Sequence, residues 1–301
     1  MKNLWRLALT AALVAYVVAV LGSWVRINGA GMSCPSWGLC NGALFPSLAH
    51  GVLWEWSHRL LVVFEALLVA TLMVTAWKER RVALIGPAAA CVGTLFLFQV
   101  GLGAATVRLS NSPISVVMHW GTAMAFIASL VSLAIFARGA GRQPAQQVAG
   151  RRISLTLSML ACTSAVAFLT MCIGAYVSSS GAGLACQTIP GCAGNVVVYG
   201  SGQYVQMLHR FVAAGTLLLA SATFALSWNA SERVRWLAGL GLGLLFAQVL
   251  LGLANVVFSL PVALREAHAA NAAAAFIVFI VATTVAAIEN GSESVLEVRA
   301  G

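Results

Sequence analysis

The chain has 301 residues, of which 60% are hydrophobic and 8% are charged, and its mean hydropathy is +0.92. Soluble domains carry about 25% charged residues, so this composition excludes a soluble domain and indicates an integral membrane protein. The net charge of +9 would suit a nucleic-acid-binding protein, but the basic residues cluster between apolar segments, which argues against a nucleic-acid partner.

Eight apolar segments are long enough to cross a bilayer, which needs about 20 residues per helix. They lie at residues 5–25, 53–77, 83–107, 114–137, 153–177, 203–228, 234–257 and 262–288. The predicted fold class is therefore an all-α integral membrane protein with eight transmembrane helices. The first segment follows Lys2 and Arg6 as a signal peptide would, but we expect an uncleaved helix because the fifth segment matches it.

The basic residues are distributed unequally between the two sides of the membrane. If the segments alternate in direction, one side carries Lys2, Arg6, Lys78, Arg80, Arg81, Arg138, Arg142, Arg151, Arg152, Arg233, Arg235 and Arg299. The other side carries only Arg26, Arg108 and Arg265, while Arg59 and Arg210 lie just inside segments. The positive-inside rule then predicts a plasma or inner membrane protein with both termini in the cytoplasm.

The chain also contains an internal repeat that spans its whole length. The matching pairs are residues 22–34 with 174–186, His58-Arg59 with His209-Arg210, residues 99–103 with 248–252, and His119 with His268. Each copy holds an even number of segments, so both copies have the same orientation. We predict two tandem four-helix bundles, residues 1–140 and 153–301, joined by a cytoplasmic linker at 141–152 and related by a pseudo-twofold axis along the membrane normal.

Four of the five histidines recur at equivalent positions near the outer ends of even-numbered segments. They are His58 and His119 in the first half and His209 and His268 in the second. Two imidazoles on different helices of one bundle can bind the iron of a porphyrin from its two faces, which predicts one haem in each half.

Two other interpretations of the histidines stay open. They could be packing residues that form hydrogen bonds between helices, although duplication favours ligands, and His50 lies in a loop without a counterpart. Zinc is disfavoured because no third or fourth ligand recurs at the same depth.

Two pairs of cysteines also recur, both in loops on the outer side. Cys34 and Cys40 are separated by five residues, as are Cys186 and Cys192, and each spacer contains proline and glycine. The chain can turn back at these residues, and the outer compartment permits disulfides, so one local disulfide is expected in each half. The first pair is a candidate for redox or transfer chemistry, and stapling the loop is the expected role of the second.

The two halves differ at an acidic position. Glu55 lies three residues before His58, on the same face of a helix, and it aligns with the neutral Gln206. A group that moves protons or stabilises a developing cation is needed only where chemistry occurs, which assigns catalysis to the first half. The alternative is that Glu55 only complements the helix dipole near an N-terminus. Arg59 and Arg210, next to the histidines, are candidate partners of haem propionates, and the alternative is that they snorkel to the membrane surface.

These elements together resemble the haem A synthase family over essentially the whole chain. The resemblance rests on the loop at residues 29–42 with its two cysteines, on Glu55-Trp56-Ser57-His58-Arg59, and on the later His119, His209-Arg210 and His268. Gly38 stands where many members have proline, but the cysteine spacing is intact. The resemblance implies an oxidoreductase that converts the C8 methyl group of haem O to a formyl group, giving haem A for terminal oxidases.

Site roles follow from the same resemblance. His58 and His119 would bind the substrate haem O, and His209 and His268 would bind a resident haem b. Glu55 matches the essential acid of the family, Cys34 and Cys40 match a pair implicated in activity or haem transfer, and Cys186 and Cys192 match a structural disulfide. Expected partners are membrane lipid, the farnesyltransferase that makes haem O, and an electron-transfer partner.

Two other functions share part of this pattern. A dihaem electron-transfer cytochrome would need the four histidines but neither Glu55 nor the paired cysteines. A transporter built from parallel repeats would be supported only by glycines within the segments, such as Gly101, Gly103 and Gly252, which we interpret as sites of close helix contact.

Overall fold

The computed structural model describes residues 2–36, 38–49, 51–139, 154–192, 194, 198 and 200–300, with the main chain alone for residue 2 and residues 291–300. The predicted linker at 141–152 and His50 lie outside these residues. The helices are α1 (Lys2–Ile27), α2 (Val52–Lys78), α3 (Ile85–Arg108), α4 (Pro113–Gly139), α5 (Leu155–Ser179), α6 (Ser201–Leu226), α7 (Glu232–Val257) and α8 (Val262–Ala300). All eight are long and apolar enough to cross a membrane, which confirms the predicted fold class.

The helix bounds agree with the predicted segments to within a few residues, except at the end of α8. This helix continues to Ala300, whereas the apolar segment was predicted to end at residue 288. Hydropathy locates where the apolar stretch stops, and a helix can continue beyond that point because its main-chain hydrogen bonds do not depend on lipid.

The turns between α3 and α4 and between α7 and α8 have the same unusual main chain. Ser110 and Asn111 have φ angles of 51° and 55°, and Ser259 and Leu260 have φ angles of 58° and 61°. Non-glycine residues rarely adopt positive φ. Two consecutive such residues at matching places in the sequence support the predicted duplication.

The helix contacts fall into two similar sets. In the first half α1 packs on α2 and α4, and α3 packs on the same two helices. In the second half α5 packs on α6 and α8, and α7 packs on the same two helices. The sets meet where α4 contacts α5 and α8 and where α1 contacts α8. Tandem bundles require this pattern, while the pseudo-twofold axis stays a prediction.

The apolar core is continuous across this interface. The largest cluster of buried side chains combines residues of α1 to α4 with Ala167 and Met171 of α5 and with Ala273 and Phe276 of α8. Helices α4 and α8 are the most buried, while α3 and α7 expose most of their side chains. In a bilayer those exposed apolar faces contact lipid, while the two halves share one buried apolar cluster.

Candidate haem sites

The four repeated histidines lie at similar depth near the ends of four helices. His58 on α2, His119 on α4 and His268 on α8 each follow the first helical residue by six positions, and His209 on α6 follows it by eight. At 1.5 Å per residue this is about 9 to 12 Å from the helix start. The helices therefore place the four histidines at similar depths, as the sequence predicted.

Each of these imidazoles packs directly against a glycine on a neighbouring helix. A methyl group added to Gly22 or Gly174 would lie 2.9 Å from Cε1 of the facing histidine, and one added to Gly103 or Gly252 would lie 3.3 Å from it. The pairs are Gly22 with His58, Gly103 with His119, Gly174 with His209 and Gly252 with His268. The close helix contacts predicted at Gly103 and Gly252 are thus contacts with the ring of a histidine. The prediction was wrong for Gly101, which has open space beside it because it lies on another face of the helix.

The ring nitrogens of each histidine have different surroundings. Nδ1 is buried in all four rings and has no hydrogen-bond partner of good geometry, although each side chain as a whole is only partly buried. The main chain one turn before the glycine lies beside the ring, for example at Val18 for His58 and at Thr170 for His209. A nearby carbonyl would select the tautomer with the proton on Nδ1 and leave the lone pair of Nε2 for a metal.

The histidines also form pairs within each half. His58 is close enough to His119 for the two rings to interact electrostatically, and the same holds for His209 and His268. Within the described residues no three histidine, cysteine or acidic side chains converge as a metal site would require. A haem needs only two protein ligands because the porphyrin supplies the other four. The donor set therefore fits one bis-imidazole haem per half.

A glutamine side chain lies close to His119 in the first half. Nε2 of Gln99 lies 3.5 Å from Nε2 of His119. The matching Gln248 is held differently, because its Oε1 accepts a hydrogen bond of 2.8 Å from Asn271 Nδ2. In the sequence analysis Gln99 appears only as part of the repeat. The available signal was a polar side chain within the apolar segment, one turn before the repeated Gly103.

The two cysteine pairs form the expected local disulfides. Cys34 is bonded to Cys40 and Cys186 to Cys192, and all four side chains are buried. Each disulfide closes a short loop that lies over the start of the following even-numbered helix. The redox or transfer role assigned to the first pair and the structural role assigned to the second stay predictions.

Glu55 and Gln206 make the same contact with these loops. Oε2 of Glu55 accepts a hydrogen bond of 2.7 Å from the main-chain N–H of Cys34, and Oε1 of Gln206 accepts one of 2.5 Å from Cys186. Glu55 also forms a 2.7 Å ion pair with Arg59, and Gln206 donates to the carbonyl of Gly183 at 2.7 Å. The acid is thus buried at the junction of loop and helix, and the catalytic role of Glu55 stays a prediction.

The two arginines bind the loops as well. Arg59 donates to the carbonyl of Cys34 at 2.6 Å and to that of Ser36 at 2.7 Å. Arg210 donates to the carbonyls of Cys186 and Thr188, both at 2.7 Å. In this structure both guanidinium groups donate hydrogen bonds to main-chain carbonyls of the loops. Their contact with haem propionates stays a prediction.

The chain matches known proteins over most of its length. Residues 48–280 match the family model described as cytochrome oxidase assembly protein. The chain is 31% identical to the haem A synthase of Halalkalibacterium halodurans, over 71% of this chain and 72% of that protein. It belongs to the haem A synthase family. A family member from Bacillus licheniformis is 29% identical over 89% of this chain and 91% of its own length, and one from Shewanella oneidensis is 27% identical over 91% and 93%.

Proposed function

We propose that the protein, a haem A synthase by family, oxidises the C8 methyl group of haem O to a formyl group. Replacing CH3 by CHO with oxygen taken formally from water releases four protons and four electrons. The reaction therefore needs an electron acceptor and groups that receive protons. Two successive oxidations give first an alcohol and then a gem-diol, which loses water to form the aldehyde.

The single observation that carries the proposal is the duplicated contact of four histidines with four glycines. In the proposed assignment, His58 and His119 hold the substrate haem O in the first half. His209 and His268 hold haem b in the second, and that haem supplies one-electron chemistry when bound. The glycines let the rings pack against the neighbouring helix, so each imidazole is fixed before a porphyrin arrives.

Glu55 is the residue that we assign to the chemistry. It lies one turn from His58 on α2, and its counterpart Gln206 cannot accept a proton at neutral pH. The carboxylate would accept a proton from the reacting methyl group or stabilise positive charge there. Its 2.7 Å ion pair with Arg59 holds the carboxyl group in a fixed orientation beside the loop.

The Cys34–Cys40 disulfide is linked to the same acid. Because the N–H of Cys34 donates to Glu55, a change in the redox state of this loop would move a hydrogen-bond donor of the proposed catalytic group. We therefore include Cys34 and Cys40 in the catalytic site and assign the Cys186–Cys192 disulfide to stabilising the second loop.

The proposed topology places the loops on the outer side and both termini in the cytoplasm. It is supported by the excess of lysine and arginine at the opposite helix ends. Residues 1–140 form the catalytic bundle and 153–301 the cofactor bundle, joined at 141–152. Haem O arrives from the membrane, and the farnesyltransferase that makes it is the partner expected to supply it.

Pigment extraction from the purified protein tests this function. Protein expressed with haem O available should yield haem B together with haem O or haem A, and protein expressed without it should yield haem B alone. An electron-transfer cytochrome would contain the same haem under both conditions, so an unchanged pigment composition would overturn the proposal.

A further inference from the structure

Two of the three arginines on the proposed outer side come together between the halves. Arg26 lies in the last turn of α1 and Arg265 in the first turn of α8, and the two guanidinium groups are close enough to repel each other. Basic residues are uncommon on this side of a membrane protein. Their convergence concentrates positive charge at this position.

A cavity of about 320 Å³ opens beside Arg26 at the outer helix ends. It is lined by Arg26, Gly29, Gly31, Met32, Asn111 and Ser179. Ligand pockets span roughly 300 to 1,000 Å³, so this cavity holds a part of a large ligand and not a whole porphyrin.

The charges around the cavity do not balance. The buried Glu266 on α8 is the acid within electrostatic range of Arg26, against the two cations Arg26 and Arg265. Among the described residues, the guanidinium of Arg26 has one hydrogen bond, a contact of 2.9 Å with Ser178 Oγ. An anionic ligand would balance the excess charge and use the remaining N–H groups.

The cavity lies next to the proposed substrate site. Arg26 follows Gly22 by four residues and therefore lies one turn outward on the same face of α1, and Gly22 is the glycine that contacts His58. Ser178 follows Gly174 by four residues in the same way and is the repeat counterpart of Arg26. Counterparts touch each other only near an axis of symmetry, so Arg26 marks the boundary between the two haem sites.

We propose that this cavity binds a carboxylate side chain of the substrate porphyrin, with Arg26 as its cationic partner. The inference rests on the proposed assignment of haem O to the first half, because five of the six lining residues belong to that half. Arg26 has N–H groups available for a bidentate contact, whereas the guanidinium groups of Arg59 and Arg210 are engaged by loop carbonyls. The contact would fix the rotation of the porphyrin about the axis through its two imidazoles.

Binding of haem O and of its dimethyl ester tests the proposal without measuring turnover. The full protein, prepared without haem O so that only the resident haem is present, is titrated with each compound and followed by difference absorption. The wild type should bind the free acid at least tenfold more tightly than the ester. Arg26→Gln should weaken binding of the acid by roughly tenfold, the loss expected for one charged hydrogen-bonding partner, and leave the ester unaffected.

Two further variants separate a specific effect of Arg26 from a general loss of charge or of folding. Arg108→Gln removes another outer arginine, which is exposed and does not line the cavity, and should change neither affinity. The absorption of the resident haem reports folding. If Arg26→Gln fails to fold, Arg26→Lys decides, because it keeps the charge and should retain a reduced preference for the acid.

An Arg26→Gln or Arg26→Lys protein that folds with the wild-type preference would overturn the inference, as would a wild type without any preference. Titrations in nanodiscs with neutral or anionic lipid identify a competing occupant. Sensitivity to anionic lipid that Arg26→Gln removes, with the porphyrin preference intact, would assign the cavity to a lipid phosphate and also overturn it. His58→Ala checks the underlying assignment: if it binds haem O as the wild type does, the proposed substrate site is wrong, whatever Arg26 does.

Discussion

The two halves of the protein hold their histidines in the same way but surround them differently. A methyl group added to Gly22 would lie 2.9, 3.4 and 3.5 Å from Cε1, Nδ1 and Nε2 of His58, and one added to Gly174 would lie at the same distances from His209. Yet Glu55 on α2 is replaced by Gln206 on α6. The packing that positions the histidine is thus duplicated, while a carboxyl group at this position is present only in the first half.

A second difference lies deeper in the membrane. Seven residues after the histidine, α2 carries Glu65 and α6 carries Thr216. Thr216 forms a 2.7 Å hydrogen bond with Thr170, whereas both carboxyl oxygens of Glu65 are buried without a hydrogen-bond partner. At this position the polar group of the second half has a hydrogen-bond partner, whereas the first half carries a buried acid without one.

The third difference concerns the glutamines near His119 and His268. Asn271 holds Gln248 through one hydrogen bond and also donates to the carbonyl of Leu244 at 2.9 Å. Gln99 instead approaches its histidine. A half that releases its haem as product benefits from a side chain that competes for the ligand, and a half with a resident haem does not.

The largest expected effect comes from making the first half resemble the second at Glu55. Glu55→Gln should lower haem A formation by about 10² to 10⁴-fold, the usual contribution of a proton-transferring group. The loop should stay in place because Gln206 shows that a glutamine accepts the cysteine N–H. Haem A content and total haem are measured together, because unchanged total haem shows that the variant folds. Normal haem A content in Glu55→Gln would remove the acid from the reaction.

The glycines offer the next test, because a methyl group at 2.9 Å from a ring must displace it. Gly22→Ala should abolish haem binding in the first half alone, and Gly174→Ala should do so in the second. Gly101→Ala and Gly215→Ala place the same methyl group where no atom lies within 4 Å and should bind both haems. Haem stoichiometry per polypeptide measures the effect. Equal losses in all four variants would show that helix stability, and not ring contact, is responsible.

A smaller effect is expected from exchanging the surroundings of the glutamines. Asn271→Ala should release Gln248 and raise the dissociation rate of the resident haem by roughly fivefold, which corresponds to a hydrogen bond of about 1 kcal/mol. Gln99→Ala should have the opposite sign and slow haem loss from the first half. Transfer of haem to apomyoglobin gives both rates. Two changes of the same sign would contradict the proposed competition.

The smallest effect concerns stability. Glu65→Leu should raise the free energy of unfolding by about 1 to 3 kcal/mol, because it removes an unpaired buried polar group. Thr216→Val should lower it by about 1 kcal/mol through loss of the hydrogen bond with Thr170. Thermal unfolding of the haem-loaded protein compares the two variants. Destabilisation by Glu65→Leu would mean that the carboxyl group has a stabilising partner.

The sequence was sufficient to predict the eight helices and the similar depth of the four histidines, because hydropathy and repeated motifs can be read directly from the order of residues. It also predicted the disulfides, since Cys34 and Cys40 are close in sequence. It could not predict that Arg59 binds the carbonyls of its own loop, because that contact depends on the path of the loop over α2.

The meeting of Arg26 with Ser178 was also beyond the sequence, because it depends on how the halves pack. Gly22 illustrates an intermediate case. Its place in the repeat was visible, but a glycine in an apolar helix usually indicates only helix packing, and its contact with an imidazole appears only in three dimensions.

The most direct test of the division of labour between the halves is the pigment composition of two matched variants, His58→Ala and His209→Ala. Expressed with haem O available, His58→Ala should retain haem B and its low-spin spectrum but contain neither haem O nor haem A. His209→Ala should lose haem B and retain haem O that is not converted. If both variants lose the same pigment, or if His58→Ala still contains haem A, the first half is not the site of the reaction.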